Sequence, residues 1–242
     1  MTLRCVFSMW GRPKKDLRDL GELYHDFAAF GAVSRQKPGI FAANQRCKAP
    51  IISAYVQWAI AKSKARSGDP VSFVELFCAD GYYAMLARHF GATTAIGIDN
   101  DRDNHFSQAS VIANRLGLTN VEFHKLDVTD IDQMPPADIV ANVGGLYHVA
   151  NPREIIKKSY RLARKYLILQ SVVSMANSAP DYFESPAPGW TWGSRYNRES
   201  FDALIDSLGY RVVDRHFNEL EGNDRLEDRG SVYYLIETQA SS

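Results

Sequence analysis

The stretch Val71-Ser-Phe-Val-Glu-Leu-Phe-Cys-Ala-Asp-Gly-Tyr-Tyr83, followed by Ala95-Ile-Gly-Ile-Asp99, decides the fold of this chain. It predicts an apolar strand, a tight turn, a helix and a second apolar strand that ends in an acid. Such a unit lays a nucleoside across the carboxyl ends of parallel strands, where the acid can hold the ribose. We therefore expect a nucleoside-binding α/β domain.

The same alternation continues along the chain. Strands are predicted near 71–78, 94–98, 121–126, 138–142 and 166–171, and helices near 82–90, 103–116, 152–164 and 198–208. Two further strands, 210–217 and 231–237, are joined by a charged loop and form a hairpin. The expected fold is therefore α/β, a doubly wound, seven-stranded and mostly parallel sheet whose last strand is antiparallel.

The segment before the alternation has a helical pattern. Apolar residues recur at helical spacing between Asp16 and Phe30 and predict one helix, and residues 51–64 predict a second. We expect residues 1–70 to form an N-terminal helical cap and residues 71–242 to form the main domain. Within that domain, the Pro-, Gly- and aromatic-rich segment 174–197 interrupts the alternation and predicts a cap loop.

Composition limits the class of protein. The 242 residues are 45% hydrophobic and 23% charged, which is typical of one globular α/β domain. No apolar run approaches the roughly 20 residues of a membrane span, and no signal peptide is evident. Three cysteines, Cys5, Cys47 and Cys78, show no zinc or disulfide spacing, so we expect a cytoplasmic protein without a metal.

Charge is unevenly distributed although the net charge is zero. Residues 1–70 hold 12 Lys/Arg and 5 Asp/Glu, a net charge of +7, so the remainder carries −7. A basic segment of this kind is either a solvated helical surface or a lid that attracts an anionic substrate or RNA.

The turn after the first strand is Glu75-x-Phe77-x-Ala79-x-Gly81. It resembles motif I of class I S-adenosylmethionine-dependent methyltransferases, an acid followed by three glycines at alternate positions. The acid and the last glycine are kept, whereas Phe77 and Ala79 replace the first two glycines. The resemblance implies that all four residues lie in a turn that binds S-adenosyl-L-methionine, and that Phe77 alters its shape.

Three later strand ends match the family's other landmarks. The resemblance assigns Asp99, with the adjoining Asn100, to the ribose, and Asp127-Val128 to the adenine ring. Asp130, by contrast, is expected to cap the next turn. Asn142 would end the strand beneath the transferring methyl group. With these matches the fold is expected to be that of a Rossmann-like methyltransferase.

The run Gly-Leu-Tyr147-His148 resembles the tRNA wobble-uridine methyltransferase-like group. There, the matching tyrosine helps to hold a carboxylated cofactor, although ordinary S-adenosylmethionine is expected here. His148 is the predicted catalytic base, with Tyr147 beside it, and a structural histidine is the alternative reading. His25 has no partner visible in the sequence.

Substrate-binding candidates come from the cap segments. Aromatic faces of Tyr24, Trp190 and Trp192 can hold a planar acceptor or pack on the core. Arg195 can pair with a substrate anion or remain solvated, and the same alternatives apply to Arg46 and Lys48.

The sequence therefore predicts a methyltransferase that modifies oxygen or nitrogen of a small molecule. The alternatives are a tRNA-modifying enzyme, favoured by the basic N-terminal segment, and a non-catalytic cofactor-binding subunit. The Asn/Asp-Pro-Pro-Tyr pattern of adenine methyltransferases is absent, and the glycine spacing fits an NAD-dependent dehydrogenase less well. The sequence leaves a homodimer open.

Overall fold

The computed structural model describes residues 15–67 and 69–238, so the predictions that fall on residues 1–14, including Cys5, lie outside the described part of the chain. Within those two ranges, no helix combines the length and the apolar character that crossing a membrane requires.

Thirteen strands and five α-helices are described between residues 15 and 238. Four short strands, β1 to β4, come first: Lys15–Asp16, Glu22–Leu23, Ala32–Val33 and Arg35–Gln36. The strands β5 to β9 are Ser72–Leu76, Thr94–Asp99, Val121–Lys125, Ala137–Asn142 and Ala163–Val173. The last four, β10 to β13, are Phe183–Glu184, Arg195–Tyr196, Arg211–Glu219 and Gly230–Glu237. The helices α1 to α5 are Ile40–Ser67, Tyr82–His89, Ala109–Arg115, Pro152–Leu162 and Arg198–Ser207.

The main sheet has seven strands in the order β12-β13-β9-β8-β5-β6-β7. Strands β5 to β9 are parallel to one another, and β13 pairs antiparallel with both β9 and β12. The predicted seven-stranded sheet with an antiparallel last strand is confirmed. The strand order reverses beside β5, so the carboxyl ends of β5, β6 and β8 open into one crevice, where such folds bind ligands.

Burial explains why these segments form strands. All six residues of β8 and all eight of β13 are buried, because helices or loops cover both faces of the inner strands. The edge strands β7 and β12 are mostly exposed, and their remaining residues are only partly buried. Two hydrophobic clusters, one on each side of the sheet, hold the layers together.

The helix predicted between Asp16 and Phe30 is wrong. The structure instead has two short parallel ladders, β1 with β3 and β2 with β4, separated by 3₁₀ turns. Gly21 interrupts the helical pattern with φ 85° and ψ −148°, a conformation that essentially only glycine adopts. Leu23 and Phe27 are nevertheless buried in the core, so their apolar spacing reflects tertiary burial rather than a helix.

The second predicted helix exists and is longer than expected. Helix α1 covers residues 40–67 rather than 51–64, and it packs on α2 and on strands β8, β9 and β13. Its residues Ile52, Val56 and Ile60 belong to the same hydrophobic cluster as the sheet. The cap predicted from residue 1 is thus helical from residue 40 on, and between residues 15 and 39 it has strands and 3₁₀ turns. The predicted helix 103–116 is correspondingly reduced to a 3₁₀ turn and α3.

Candidate active site

One cavity lies at the carboxyl ends of β5, β6 and β8 and extends beneath the N-terminal segment. It measures about 210 Å³. The lining residues from the sheet domain include Glu75, Phe77, Ala79, Asp99, Asn100, Asp127, Val128, Val143, Gly144 and His148. Those from the N-terminal segment are Tyr24, His25, Phe41, Gln45, Lys48 and Ile52. Nine of the predicted site residues are therefore brought together here: Tyr24, Glu75, Phe77, Ala79, Asp99, Asn100, Asp127, Val128 and His148.

The turn after β5 adopts the backbone shape that glycines would provide. Phe77 has φ 60° and Ala79 has φ 48°, both in the left-handed region. For residues with a Cβ this region costs about 1–2 kcal/mol each, which other contacts must offset. The side chains therefore change while the backbone path of a glycine-rich turn is retained.

The ring of Phe77 rests against Gly145. A Cβ on Gly145 would lie 1.9 Å from Cγ of Phe77, so only glycine leaves room for the ring. A Cβ on the neighbouring Gly144 would meet nothing within 4 Å, and Gly144 lines the cavity. The Phe77 ring thus fills the space over Gly145, and Ala79 remains part of the cavity wall.

Two strand-end acids lie on one side of the cavity. Asp99 accepts hydrogen bonds from the backbone N–H of Ala79 at 3.0 Å and of Asp101 at 2.7 Å, which fixes its carboxylate at the wall. Asp127 accepts from the Thr129 backbone at 2.9 Å and from Asn100 Nδ2 at 2.8 Å. These hydrogen bonds hold the pKa of Asp127 below its usual value, and the bond from the Thr129 backbone has the greatest effect on that pKa.

Asp127, and not Asp130, caps the following 3₁₀ helix, so the prediction that Asp130 forms this cap is wrong. The cap bond uses Oδ1 of Asp127, whereas Oδ2 faces Asn100. The two side chains, Asn100 and Asp127, therefore form one hydrogen-bonded wall of the cavity.

Three predicted cofactor residues have structural contacts that the sequence did not reveal. Glu75 lines the cavity, but its Oε2 accepts from the Ala84 backbone at 2.6 Å, and burial raises the pKa of its carboxyl well above the usual value. Gly81 does not line it; a Cβ there would lie 2.2 Å from the Phe123 ring, so this glycine permits packing.

Asn142 is also placed away from the cavity. It is fully buried at the end of β8 and donates from Nδ2 to Ser159 Oγ at 2.9 Å. Its Oδ1 has no hydrogen-bond partner among the described residues. The adjoining residues Val143 and Gly144, rather than Asn142, line the cavity.

His148 lines the cavity, but its environment does not suit a base. Burial lowers the pKa of its imidazole to about 3, and the nearby Arg102 contributes. Arg102 donates to Nδ1 of His148 at 3.3 Å, so in the neutral ring the proton resides on Nε2, which then has no lone pair to accept another. The ring also packs against Trp192 and Tyr147, with centroids 5.0 and 4.1 Å away.

The loop 174–197 covers this part of the site, but its predicted contact residues do not line the cavity. Trp190 is 44% exposed and packs on Trp192, which lies over His148. Arg195 is buried and forms an ion pair of 2.6 Å with Asp228, so the prediction that it pairs with a substrate anion is not supported. Tyr147 lies under this loop next to Arg195, and burial raises the pKa of its hydroxyl to about 12.

The sequence interpretation missed a histidine–carboxylate pair. Nδ1 of His25 lies 2.5 Å from Oδ1 of Asp80, and the backbone N–H of His25 donates to Oδ2 at 2.8 Å. Asp80 is 1% exposed, and the His25 ring stacks on Tyr82. Because the carboxylate accepts the Nδ1 proton, the neutral ring presents a lone pair on Nε2. No sequence pattern could have predicted this pair, since 55 residues separate its members.

Lys48 also lines the cavity. It is 9% exposed on α1, and burial lowers the pKa of its ammonium to about 8. Arg46, the neighbouring candidate, is exposed and faces Glu221 at 3.8 Å instead. Among the described residues no group of three or more His, Cys, Asp or Glu side chains is arranged to hold a metal ion.

Comparison with solved structures identifies the fold. The N-terminal domain of EvdMO1, crystallised with SAH and D-fucose, is 17% identical, with a TM-score of 0.61 over 92% of this chain and 94% of that one. Magnesium protoporphyrin IX methyltransferase (ChlM) from Synechocystis PCC 6803, with bound SAH, is 12% identical, with a TM-score of 0.62 over 84% and 89%. The [4+2]-cyclase SpnF is 15% identical, with a TM-score of 0.60 over 78% and 82%. These likenesses show the Rossmann-like fold.

Family membership comes from the sequence itself. Comparison with curated proteins gives no match. The family model described as a methyltransferase domain matches residues 68–215, which include the turn, both strand-end acids and β8. The chain therefore belongs to the methyltransferase domain family, and it is an S-adenosylmethionine-dependent methyltransferase.

Proposed function

We propose that this enzyme methylates oxygen or nitrogen of a small-molecule acceptor, and that His25 is the base that takes the acceptor's proton. The observation that carries the proposal is the His25–Asp80 pair, whose ring lines the same cavity as the strand-end acids. S-adenosylmethionine, when bound, supplies an electrophilic methyl group on a sulfonium centre.

The lining residues fit that methyl donor. The carboxylate of Asp99 is held by two backbone N–H groups and keeps lone pairs that can accept ribose hydroxyls. Asp127 and Val128 would hold the adenine, and the open face of Gly144 leaves room along the wall. The Phe77 ring, which was expected to alter the shape of the turn, is packed on Gly145.

His25 is better suited than His148 to accept a proton. Asp80 orients its ring and would stabilise the imidazolium that forms after proton transfer. His148 has its Nδ1 bonded to Arg102 and has a pKa of about 3, so it stays neutral near pH 7. We assign His148 to the wall of the acceptor site, with Trp192 packed against it from outside the cavity.

The aromatic lining of the cavity favours a small molecule as the acceptor. Aromatic rings of Tyr24, Phe41 and Tyr83 line the cavity under the N-terminal segment, and Tyr24 packs edge-on against Phe41. Enclosed aromatic walls of this kind suit a planar or apolar group. Among the solved structures with this fold, the EvdMO1 domain was crystallised with D-fucose, and ChlM is a magnesium protoporphyrin IX methyltransferase; both compounds are small molecules.

The first experiment tests binding and turnover together. Isothermal titration calorimetry with SAH should show a single site, and Asp99→Ala should weaken it by roughly 10-fold or more, as expected for lost hydrogen bonds to a charged group. A panel of hydroxyl and amino compounds is then incubated with S-adenosylmethionine, and methylated product is detected by mass spectrometry.

The second experiment tests the base. His25→Asn should lower turnover of a hydroxyl acceptor by about 10²- to 10⁴-fold, the usual range for a general base, and leave SAH affinity unchanged. Asp80→Asn should lower turnover less, because the ring remains but loses its orienting partner. His216→Asn is the matched control, since His216 is exposed on β12 and does not line the cavity. Full turnover by His25→Asn would disprove the assignment, and SAH binding without any methylated product would favour the non-catalytic alternative.

A further inference from the structure

The charge of Lys48 is unbalanced within the cavity. Its side chain is nine-tenths buried and lines the cavity. Among the described residues, neither an ion pair nor a hydrogen bond joins its ammonium group to another side chain. Burying an unpaired charge is costly, and buried cations in proteins normally have an anionic partner.

Arg102, the other cation of the cavity, already has a partner. Arg102 binds Asp103 at 2.9 Å and also contacts His148. His25 is held by Asp80. The acids are engaged as well, since Asp99 binds backbone N–H groups and Asp127 binds Asn100. Of the described lining residues, Lys48 is therefore the cation that a ligand would have to neutralise.

We propose that Lys48 is the carboxylate-binding residue of this cavity. The carboxylate can belong to the amino-acid end of S-adenosylmethionine or to the acceptor itself, and both sources present the same anionic oxygens. The inference rests on the proposed function, because it assumes that cofactor and acceptor share this cavity. Burial lowers the pKa of Lys48 to about 8, so about nine in ten molecules carry the charge at pH 7.

The first arm of the test asks whether the cofactor is the source. SAH and 5′-methylthioadenosine, which lacks the amino-acid end, are titrated by calorimetry into wild type and Lys48→Met at pH 7. If Lys48 binds the cofactor's carboxylate, the substitution weakens SAH by roughly 10- to 100-fold and leaves 5′-methylthioadenosine unchanged. The amino-acid end of SAH carries an ammonium group and a carboxylate, and a charged lysine attracts only the carboxylate. Weaker binding of SAH together with unchanged binding of 5′-methylthioadenosine therefore identifies the carboxylate as the group that Lys48 binds.

The second arm asks whether the acceptor is the source. Protein saturated with SAH is titrated with acetate, and the ¹³Cε resonance of Lys48, assigned by its loss in Lys48→Met, is followed across pH. If the carboxylate belongs to the acceptor, SAH affinity is the same in wild type and Lys48→Met, and acetate raises the pKa of Lys48 above about 8.

Two control variants sharpen both arms. Arg46→Met removes a cation from the same helix, but Arg46 is exposed and paired with Glu221, so neither affinity should change. Lys48→Arg keeps the charge and should retain part of the effect that Lys48→Met removes. A thermal melt of each variant confirms that it is folded.

The outcomes separate this inference from the proposed function. If Lys48→Met leaves SAH affinity unchanged and acetate does not alter the Lys48 resonance, the inference is overturned while SAH binding still supports the cofactor site. If wild type does not bind SAH at all, the cofactor site itself is misplaced.

Discussion

The contact between Phe77 and Gly145 offers a direct test of how this chain replaces a glycine-rich turn. An alanine at position 145 would place its Cβ between 1.9 and 2.3 Å from three ring carbons of Phe77. The φ of Gly145 is −132°, which any residue adopts, so the cost of Gly145→Ala is steric rather than conformational. Forcing an extra methyl group into such a contact should lower the free energy of unfolding by about 1–3 kcal/mol.

Removal of the ring should abolish that cost. Phe77→Gly removes the conformational cost of a left-handed φ of 60°, which is about 1–2 kcal/mol. It also loses a comparable free energy of burial, because the half-buried ring is removed. Its own net effect on stability is therefore expected to be small. In the Phe77→Gly background, Gly145→Ala should cost less than about 0.5 kcal/mol, so the two substitutions have a coupling energy of about 1–3 kcal/mol.

The assay is urea unfolding of the wild type, both single variants and the double variant, followed by circular dichroism. Gly144→Ala is the control, because Gly144 has φ 75° and an added Cβ would meet nothing within 4 Å. Its cost is conformational and should be the same with or without the Phe77 ring. Equal destabilisation by Gly145→Ala in both backgrounds would refute the steric explanation.

Three further predictions concern other parts of the molecule. Lys48→Met should raise stability at pH 7 by up to about 3 kcal/mol, because folding lowers the pKa of Lys48 from 10.5 to about 8. Between pH 8 and pH 10.5 the unfolded chain binds one more proton at Lys48 than the folded chain, so the free energy of unfolding of the wild type rises with pH. The difference in stability between the variant and the wild type should therefore vanish near pH 10.5. Urea unfolding at a series of pH values measures this difference. Arg195→Met should destabilise the protein by about 1.5–3 kcal/mol, since it removes the buried partner of Asp228 and leaves only the 3.4 Å pair with Arg225, and calorimetry should show unchanged SAH affinity. Transfer RNA should bind weakly if the acceptor is a small molecule; tight binding whose logarithm falls steeply with the logarithm of salt concentration would favour an RNA substrate instead.

Local sequence was sufficient to predict the strands of the main sheet and their topology. Strands β5, β6 and β8 are short apolar runs that end at turn residues, and the family match covers the same region. The order of these runs and the final hairpin predicted the topology, because strand–helix alternation leaves few ways to cover both faces of a sheet.

The N-terminal segment shows where local pattern failed. Residues 16–30 have apolar side chains at helical spacing, but Gly21 adopts a conformation outside the helix and Leu17, Leu23 and Phe27 are buried by the domain core. Spacing alone cannot distinguish a helix from an irregular segment whose side chains are drawn into a neighbouring core.

The sequence by itself determined the sheet, the position of the turn after β5 and the strand-end acids Asp99 and Asp127, because each depends on residues close together in the chain. Only the tertiary structure decided the conformation of that turn, in which Gly145, from a different loop, makes room for Phe77. It also decided which side chains meet in the cavity: His25 with Asp80, and Lys48 without a partner among the described residues. The physical reason is that burial and charge pairing depend on distances across the fold, and separation along the chain does not encode those distances.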